Sequence, residues 1–583
     1  MPGASFPDLA GVLALGLAVA SPAPAAAQPA QPPLAPRTAR SGLALTAAQQ
    51  ATDLPHLFLS IALDPASRSL SGEARYRITA RSALTEVQFD LDPRFAISRV
   101  AIDGRPVSPS AWTNDGGLLT INLPAPLAAG RGAEVTIAYA GVPFVAPKAP
   151  WEGGIVWSRT ADGQPWIATA VEGEGCDLFW PCIDNPAKRV AVLDLAVKVP
   201  EPLVEAGNGT LVGVEHDHGW ATWRWRARYP QSYGVTLQVG PYEVMDKAYP
   251  SRFGNTIRLK FWYLPGHEAG ARRLLGELSS YLDFFEHTIG PYPWGDEKAG
   301  IAETPHEGME HQTVNAYGNG FRLSPEGFDW LMNHEFAHEW FANQETGRTA
   351  REMWLHEGFG MYMQPLYLRW KDGDFLYGET LWNYRKKIHA RVPLVPAPGA
   401  PDPGYMDEQS GWGEDIYYKG AWVLHTLREQ IGDAAFDKTL RLLVYGRDDP
   451  QPGHFKPLLR TSKDYERIVE QVTGRNWRWF FDTYLHQGPL PRLETRRVGR
   501  TLRLSWQTGA KEPFALPVEV EVGGKLIKVA MSGGKGSVRL PAADAHVVID
   551  PHARVLRYDA AIAAWQKQEQ ADRGKAAAGK AKT

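Results

Sequence analysis

Hydrophobic and polar residues alternate along much of the chain between about residues 55 and 245. The apolar side chains recur at every second position in short runs, which Gly, Pro, Asn and Asp separate. A period of two is typical of strands that bury one face. The pattern predicts an N-terminal antiparallel β domain, which we place at residues 46–245, with strands at 74–81, 86–91, 118–122, 134–139, 192–199 and 235–239.

Helical spacing replaces this alternation near residue 265. The first helix is predicted at 267–287, and Gly290-Pro291 ends it. Further helices are predicted at 325–343, 352–371, 376–390, 419–431, 433–445, 463–473 and 475–486. Short strands lie between some of them, so residues 246–488 form a candidate catalytic α/β domain. Alternation returns at 489–560 and predicts a small C-terminal β domain, sandwich-like in pattern. The fold class is therefore multidomain α+β.

The two ends of the chain differ from these domains. Residues 9–20 are apolar and precede the small residues Ala25-Ala26-Ala27, which is typical of a secretory signal. This run is too short to span a bilayer, so we expect a signal peptide at 1–27, a Pro/Ala-rich linker at 28–45, and export to the periplasm or medium; an uncleaved anchor is the alternative. Residues 561–583 are rich in Ala, Lys and Gln and are expected to form a disordered tail or a fraying helix.

Composition narrows the class of protein. The 583 residues exceed what one hydrophobic core usually organises, and the net charge of −3 gives no basic face for nucleic acid. No run after the N-terminus reaches the roughly 18 apolar residues of a transmembrane helix. Cys176 and Cys182 are the two cysteines, and a disulfide and two free thiols fit the sequence equally well.

His334, Glu335 and His338 form the pattern H-E-x-x-H in a segment with helical spacing. Ser324 is the expected N-cap of this helix, and Pro325 is its expected first residue. At about 3.6 residues per turn, the two histidines lie on the same face and can bind one metal ion. Glu335 lies beside them, where a general base can reach the open coordination position.

A catalytic zinc site needs a third protein ligand and a position left for water. The next predicted helix carries WLHEGFG, in which Glu357 follows His338 after eighteen residues. This separation allows a loop and the start of an antiparallel helix. His356 is the competing ligand, but Glu357 has the spacing of known sites with two histidines and one glutamate. The sequence predicts one Zn²⁺ per chain, held by His334, His338 and Glu357.

Five motifs together resemble those of the gluzincin aminopeptidases, the family that includes aminopeptidase N and leukotriene hydrolase. NHEFAHEWFAN is similar to HELAHQWFGN of the family, and WLHEGFG is similar to WLNEGFA. GMEH at 308–311 resembles the exopeptidase motif G-x-M-E-N, YYKG at 417–420 matches Y-x-K-G, and PCIDNP at 181–186 resembles P-C-F-D-E-P. The motifs keep the family's order over residues 55–490, and the chain is identified as a bacterial, exported member.

This resemblance implies a thermolysin-like catalytic domain and a metallo-aminopeptidase that removes single N-terminal residues with metal-activated water and Glu335 as base. Its partners would be peptides with a free N-terminus. Glu310 would bind the substrate ammonium by charge-assisted hydrogen bonds. Glu172 of the N-terminal domain would assist it, with Glu174 as the rival candidate. Gly308 and Met309 of the exopeptidase motif would line the substrate site.

The resemblance also implies that Tyr417 donates its hydroxyl to the oxyanion of the tetrahedral intermediate, with Tyr418 as the adjacent alternative. The chain departs from the family at Glu307, where the motif has Gly, and at His311, where it has Asn. A carboxylate at 307 would favour basic substrates if it faces the site. An endopeptidase, a zinc hydrolase of an epoxide-type substrate and a non-catalytic binding protein remain the alternatives, and the oligomeric state is open.

Overall fold

The computed structural model describes residues 31–400 and 409–580. The predicted signal peptide at 1–27 lies outside the described residues, as does the start of the linker. No helix within the described ranges is long and apolar enough to cross a membrane. The boundaries predicted at 245 and 488 stay predictions, since the hydrophobic cores follow them only in part.

Three β-sheets form the N-terminal region, with β13-β14-β11-β1-β2-β8-β4-β5 in the largest, β12-β15-β10-β9 in the second and β3-β7-β6 in the third. Neighbouring strands are antiparallel except β1 and β11, which pair in parallel. The elements are α1 (Ala47–Ala51), β1 (Thr52–Asp64), β2 (Ser69–Ala80), β3 (Leu84–Asp90), β4 (Ala96–Ile102), β5 (Arg105–Pro106), β6 (Trp112–Asp115), β7 (Leu118–Leu127), β8 (Gly132–Gly141), β9 (Gly154–Arg159), β10 (Pro165–Ala170), β11 (Val192–Pro200), β12 (Val204–Glu205), β13 (Thr210–Asp217), β14 (Trp220–Arg228) and β15 (Gln238–Gly240).

A five-stranded mixed sheet, β16-β17-β18-β20-β19, opens the next region and leads into a group of helices. The elements are β16 (Glu243–Pro250), β17 (Thr256–Tyr263), α2 (Glu268–Thr288), β18 (Ala299–Glu303), β19 (Gly308–Met309), β20 (Asn315–Tyr317), α3 (Trp330–Ala337), β21 (Glu345–Gly347), α4 (Trp354–Asp372), α5 (Asp374–Arg385), α6 (Trp412–Ile431), α7 (Asp433–Tyr445), β22 (Leu458–Arg460), α8 (Ser462–Thr473) and α9 (Arg478–Leu485).

Two three-stranded sheets, β23-β24-β27 and β26-β25-β28, follow these helices. The elements are β23 (Arg492–Val498), β24 (Thr501–Gln507), β25 (Val518–Val522), β26 (Lys525–Val529), β27 (Lys535–Arg539), β28 (Val547–Ile549) and α10 (Ala560–Lys580). This small β region shares one hydrophobic core with the helices, because Phe514 packs against Trp479 and Tyr484 of α9. The N-terminal sheets enclose a separate core.

The predicted start of the H-E-x-x-H helix was wrong. The helix α3 begins at Trp330, and its N-cap is Asp329, whose carboxylate accepts a hydrogen bond from the backbone N–H of Met332. Ser324 instead closes a turn, in which its carbonyl accepts from the N–H of Gly327 and its N–H donates to the carbonyl of Phe328. The sequence favoured Ser324 because Ser-Pro is a common helix start, whereas Asp329, an equally good capping residue type, is the one that accepts from an N–H of the first turn.

One further helix start differs from expectation, and the structure decides between the two forms predicted for the C-terminal segment. The helix α6 begins at Trp412, seven residues before the predicted start at 419, so Tyr417 lies inside a helix. Of the two forms predicted for residues 561–583, the described residues show the helix rather than the disordered tail, because α10 continues to Lys580. Near its start, the Gln566 side chain donates to the backbone carbonyls of Lys386 and Ile388, which anchors this helix to the preceding domain.

Candidate active site

His334, His338 and Glu357 meet at one buried point, where α3 faces the first turn of α4. The Nε2 atoms of the two histidines are 3.2 Å apart. Oε2 of Glu357 lies 3.2 Å from Nε2 of His334 and 3.5 Å from Nε2 of His338. Two imidazole nitrogens and one carboxylate oxygen that converge in this way are the donor set of a catalytic zinc site.

Burial and the mutual charges of these three residues shift their pKa values in different directions, and burial lowers that of His334. Burial lowers the pKa of His338, but the charge and hydrogen bond of Glu357, with the charges of Glu310 and Glu335, together outweigh burial and raise that pKa well above its ordinary value. Burial raises the pKa of Glu357, but the two histidines outweigh it and lower that pKa. Nδ1 of His338 donates to the carbonyl of Phe341 at 2.8 Å, which orients the ring with Nε2 towards the other two ligands.

His356, the competing ligand, points elsewhere. Its Nε2 accepts a hydrogen bond from the backbone N–H of Gly347 at 2.8 Å. Gly360, one turn after Glu357, allows α4 to approach the histidine rings closely. A Cβ at this position would lie 3.1 Å from Cε1 of His338 and 3.4 Å from Cε1 of His334.

Glu335 is buried beside the three ligands, against the backbone of Gly308. Oxygen atoms of Glu310 and Glu335 and a ring nitrogen of His338 all lie within 4.8 Å of one another. A Cβ at Gly308 would lie 2.3 Å from Oε1 of Glu335, so only glycine leaves this carboxylate its present position. Burial, followed by the charge of Glu310, raises the pKa of Glu335 well above its ordinary value, which suits a group that takes up and returns a proton.

Glu310 is also buried, and hydrogen bonds hold both its carboxylate and its backbone carbonyl. The Tyr233 hydroxyl donates to Oε1 of Glu310 at 2.6 Å. Nδ2 of Asn343 donates to the backbone carbonyl of Glu310 at 3.0 Å. The motif residue Asn343 could have been found from the sequence, since it ends NHEFAHEWFAN. Tyr233 carries no such signal, because it lies in the loop after β14, outside every motif.

The two candidate carboxylates of the N-terminal region have different surroundings. Glu172 lies next to the site, and burial followed by the charge of Glu310 raises its pKa well above the ordinary value. Its Oε1 is buried and has no hydrogen-bond partner within the described residues. Oε2 of Glu174 accepts a hydrogen bond from the backbone N–H of Gly153 at 2.9 Å, which fixes a loop of the N-terminal region. Of these two carboxylates, Glu172 is therefore the one that lies at the site with an oxygen free to accept a hydrogen bond.

The disulfide between Cys176 and Cys182 closes the loop that follows Glu172, and it decides between the two states that the sequence left open.

Arg189 lies beyond this loop and connects the N-terminal region to the segment that follows α3. Its Nη1 donates to the carbonyls of Tyr229 at 3.0 Å and Asn343 at 2.7 Å. These contacts fix the position of the N-terminal region relative to α3.

Tyr417 and Tyr418 point in different directions from α6. The Tyr417 ring lies 5.7 Å from that of His334, measured between centroids. Burial, and next the charge of Glu357, raises the pKa of the Tyr417 hydroxyl, which therefore stays protonated and able to donate. Tyr418 accepts a hydrogen bond from Nζ of Lys387 at 2.8 Å, away from the site.

A close contact between two glycines brings the helices α4 and α6 together. A Cβ on Gly420 would lie 2.8 Å from Cα of Gly358, so neither helix tolerates a side chain there. Gly358 is the residue after Glu357, and Gly420 follows Tyr417 by three residues. The backbone contact therefore determines how far the Tyr417 hydroxyl lies from the metal ligands.

Of the remaining residues of the exopeptidase motif, some lie near the candidate active site and others lie in the protein interior. The charge of Glu307 contributes to the raised pKa of Glu335, so this carboxylate lies near the site. Met309 is buried in the hydrophobic core of the N-terminal sheets. His311 is buried, and its Nδ1 lies 3.0 Å from Nε2 of Gln238. His311 therefore supports the contact between the regions rather than a substrate pocket.

Comparison with known proteins gives consistent matches over both regions. Residues 53–233 match the peptidase M1 N-terminal domain, and residues 279–474 match the peptidase family M1 domain. The probable aminopeptidase 2 of Sulfurisphaera tokodaii is 23% identical over 410 residues, which are 66% of this chain and 50% of that protein. Human aminopeptidase B is 23% identical over 444 residues, which are 68% of this chain and 63% of that protein.

The chain thus spans less than two thirds of the length of each of these two relatives. Among solved structures, an M1 zinc metallopeptidase from Deinococcus radiodurans bound to a Tyr-Ser-Ala substrate aligns with a TM-score of 0.65 at 23% identity. The alignment covers 78% of this chain and 98% of that protein. The likeness supports the fold described above, with an N-terminal β region followed by an α/β region.

Proposed function

Because this chain belongs to peptidase family M1, we propose that it is a zinc-dependent aminopeptidase that removes single residues from the free N-terminus of peptides. The observation that carries this proposal is the meeting of five buried groups in two clusters that share His338. They are the candidate ligands His334, His338 and Glu357, and the carboxylates of Glu335 and Glu310. The matched aminopeptidases and the peptide-bound neighbour support the same activity.

One Zn²⁺ per chain, held by His334, His338 and Glu357, would polarise the scissile carbonyl and lower the pKa of a water molecule. Glu335 would act as the general base, taking a proton from the attacking water and passing it to the leaving amine. The Tyr417 hydroxyl would donate a hydrogen bond to the oxyanion as it forms. A donor that is fixed before the reaction stabilises this charge without reorganisation.

The recognition of a free N-terminus would come from Glu310 and Glu172. Tyr233 occupies one acceptor position of Glu310 and orients the carboxylate. Glu172 keeps an unpartnered, buried oxygen, and its raised pKa reflects burial next to Glu310. A substrate ammonium between these two carboxylates would offset their repulsion through charge-assisted hydrogen bonds. A substrate without a free amine would leave both carboxylates uncompensated.

Three assays test this proposal. Glu335→Gln should retain zinc and lose hydrolysis of aminoacyl anilides; retained zinc with near-full hydrolysis would overturn the role of Glu335. Glu310→Gln should raise KM for free peptides and leave N-terminally blocked peptides uncleaved. Cleavage of blocked peptides by the wild type would identify an endopeptidase instead. Zinc analysis of the purified chain should give one ion per chain.

Export to the periplasm or medium is a part of this proposal. The apolar run at 9–20 with its small-residue cleavage site supports it. The disulfide between Cys176 and Cys182 is consistent with an oxidising compartment. Cell fractionation followed by N-terminal sequencing should give a mature protein that begins at Gln28; a cytoplasmic protein with an intact N-terminus would refute the prediction.

A further inference from the structure

A cavity of about 500 Å³ lies where the end of α5, the small β region and α10 meet. It shares no lining residue with the candidate active site. Its apolar lining includes Ile388, Leu490 and Ile562, and its polar lining includes Arg385, Arg492 and Tyr558. This volume falls within the range of about 300–1,000 Å³ that is typical of small-molecule sites.

Arg385 is the most unusual residue of the cavity, because its guanidinium is buried without an ion-pair partner. The residue is 6% exposed, and Nη2 donates to the backbone carbonyl of Arg557 at 2.6 Å. Within the described residues, its Nε and Nη1 have no hydrogen-bond acceptor, and Asp559, the acid that lines the same cavity, lies 3.7 Å from Nη1 of Arg557 instead. Burial lowers the pKa of Arg385 to about 10, and the charge of Asp559 opposes this shift without forming an ion pair, so the group stays charged near neutral pH. Buried arginines are usually paired with an anion.

A second guanidinium lies in the same cavity. Cζ of Arg492 is 4.0 Å from the centroid of the Tyr558 ring, which orients an otherwise exposed side chain. Asp559 also lines the cavity, but its Oδ1 accepts from the backbone N–H groups of Ala561 and Ile562 at the start of α10. His389 is the remaining titratable group of the lining, and it pairs with Glu414. The two arginines outnumber Asp559, the one acid of the lining, so the cavity keeps a net positive charge.

We propose that this cavity binds a small organic carboxylate with an apolar tail. The carboxylate would pair with Arg385 and Arg492, since a planar guanidinium matches a carboxylate in two parallel hydrogen bonds. The tail would pack against Ile388, Leu490 and Ile562. The donors of Arg385 carry this assignment, because the residue lines the cavity and no described residue accepts a hydrogen bond from its Nε or Nη1.

Such a ligand would contact three parts of the molecule at once. Arg385 belongs to α5, Leu490 precedes the small β region, and Ile562 belongs to α10. The cavity also borders the segment in which the N–H groups of His389 and Ala390 donate to Asp415, at 2.8 and 2.7 Å. Asp415 precedes Tyr417 by two residues on α6. Because the ligand would connect α5, the small β region and α10, its binding should raise the Tm of the chain.

Calorimetry with 4-phenylbutyrate, on protein whose metal site is blocked by leucine hydroxamate, tests the proposal. The carboxylate should bind, and its uncharged isostere 4-phenylbutyramide should bind at least about tenfold more weakly, since a charge-assisted hydrogen bond is lost. Arg385→Gln and the exposed Arg492→Gln should each weaken binding by about tenfold, and Ala563→Phe should fill the cavity and abolish binding. Arg503→Gln, an exposed arginine outside the cavity, is the matched control.

Three results would overturn the proposal. Equal binding of the carboxylate and the amide would remove the role of the guanidinium groups. Unchanged binding in Arg492→Gln, whose Tm should equal that of the wild type, together with unchanged binding in Arg385→Gln, would place the ligand elsewhere. No binding of 4-phenylbutyrate at millimolar concentration, or displacement of it by equimolar inorganic phosphate, would reject a site for a carboxylate with an apolar tail.

Discussion

Gly308→Ala adds one methyl group directly against the proposed general base. The new Cβ would lie 2.3 Å from Oε1 of Glu335 and 2.8 Å from Cδ1 of Leu331. Non-bonded heavy atoms contact each other best at about 3.5 Å, so the carboxylate has to retreat by about 1 Å. A displacement of about 1 Å in a catalytic group costs on the order of 100-fold in rate. We therefore expect kcat to fall by about that factor.

The zinc content should not change in this variant. The atoms nearest to the added Cβ belong to Glu335 and Leu331, not to His334, His338 or Glu357. The assay is steady-state hydrolysis of an aminoacyl anilide, combined with metal analysis and a thermal melt. Overpacking of this kind destabilises a protein by about 1–3 kcal/mol, so the variant should fold with a lowered Tm.

Gly276→Ala is the matched control for this substitution. Gly276 lies on the exposed face of α2, and a Cβ there would have no atom within 4 Å. Alanine favours a helix over glycine by about 1 kcal/mol, so the control should keep its rate and melt at the same or a slightly higher temperature. A Gly308→Ala enzyme with wild-type kcat would refute the close packing of the Glu335 carboxylate, and loss of zinc would show that α3 itself had moved.

Three further substitutions test the site and the loop that carries Glu174. Tyr233→Phe removes the donor to Glu310, so KM for free-amine substrates should rise by about tenfold with a smaller change in kcat; an unchanged KM would contradict an orienting role. Tyr417→Phe should lower kcat by about 100-fold or more, while Tyr418→Phe serves as control and should remain active; the reverse order would assign the oxyanion to Tyr418. Burial raises the pKa of Glu174 from 4.5 to about 7, so the folded state binds a proton that the unfolded state releases, and stability falls as pH rises between these values. Glu174→Gln should flatten this fall in denaturant titrations, and an unchanged pH profile would show that Glu174 ionises freely.

The candidate metal ligands illustrate how much of the site the sequence alone predicts. The spacing within H-E-x-x-H places two histidines on one helical face whatever surrounds the helix, because the helical repeat is a local property. The order of the five motifs adds the family, and with it the expectation of a β region before an α/β region. The helix start at Asp329 was not predictable in the same way, since a cap depends on which carboxylate the tertiary structure buries there.

Three pairs of candidate residues lie close together in sequence, and only the tertiary structure shows which member of each pair faces the site. The pairs are His356 and Glu357, Tyr417 and Tyr418, and Glu172 and Glu174. One step along a helix turns a side chain by about 100°, so neighbouring residues face different surroundings, but the sequence does not say which face meets the metal. In the loop of Glu172 there is no periodicity at all, and the hydrogen bond from Gly153 to Glu174 makes the distinction.

The sequence by itself determined the H-E-x-x-H helix, the family and the alternation of β and helical regions, because each depends on spacing along the chain. The tertiary structure decided which carboxylates share the site, that Tyr233 holds Glu310, and that Arg385 lines a cavity without an ion-pair partner. These contacts join residues far apart in sequence. Their energies depend on burial and on distances between elements, which no local pattern encodes.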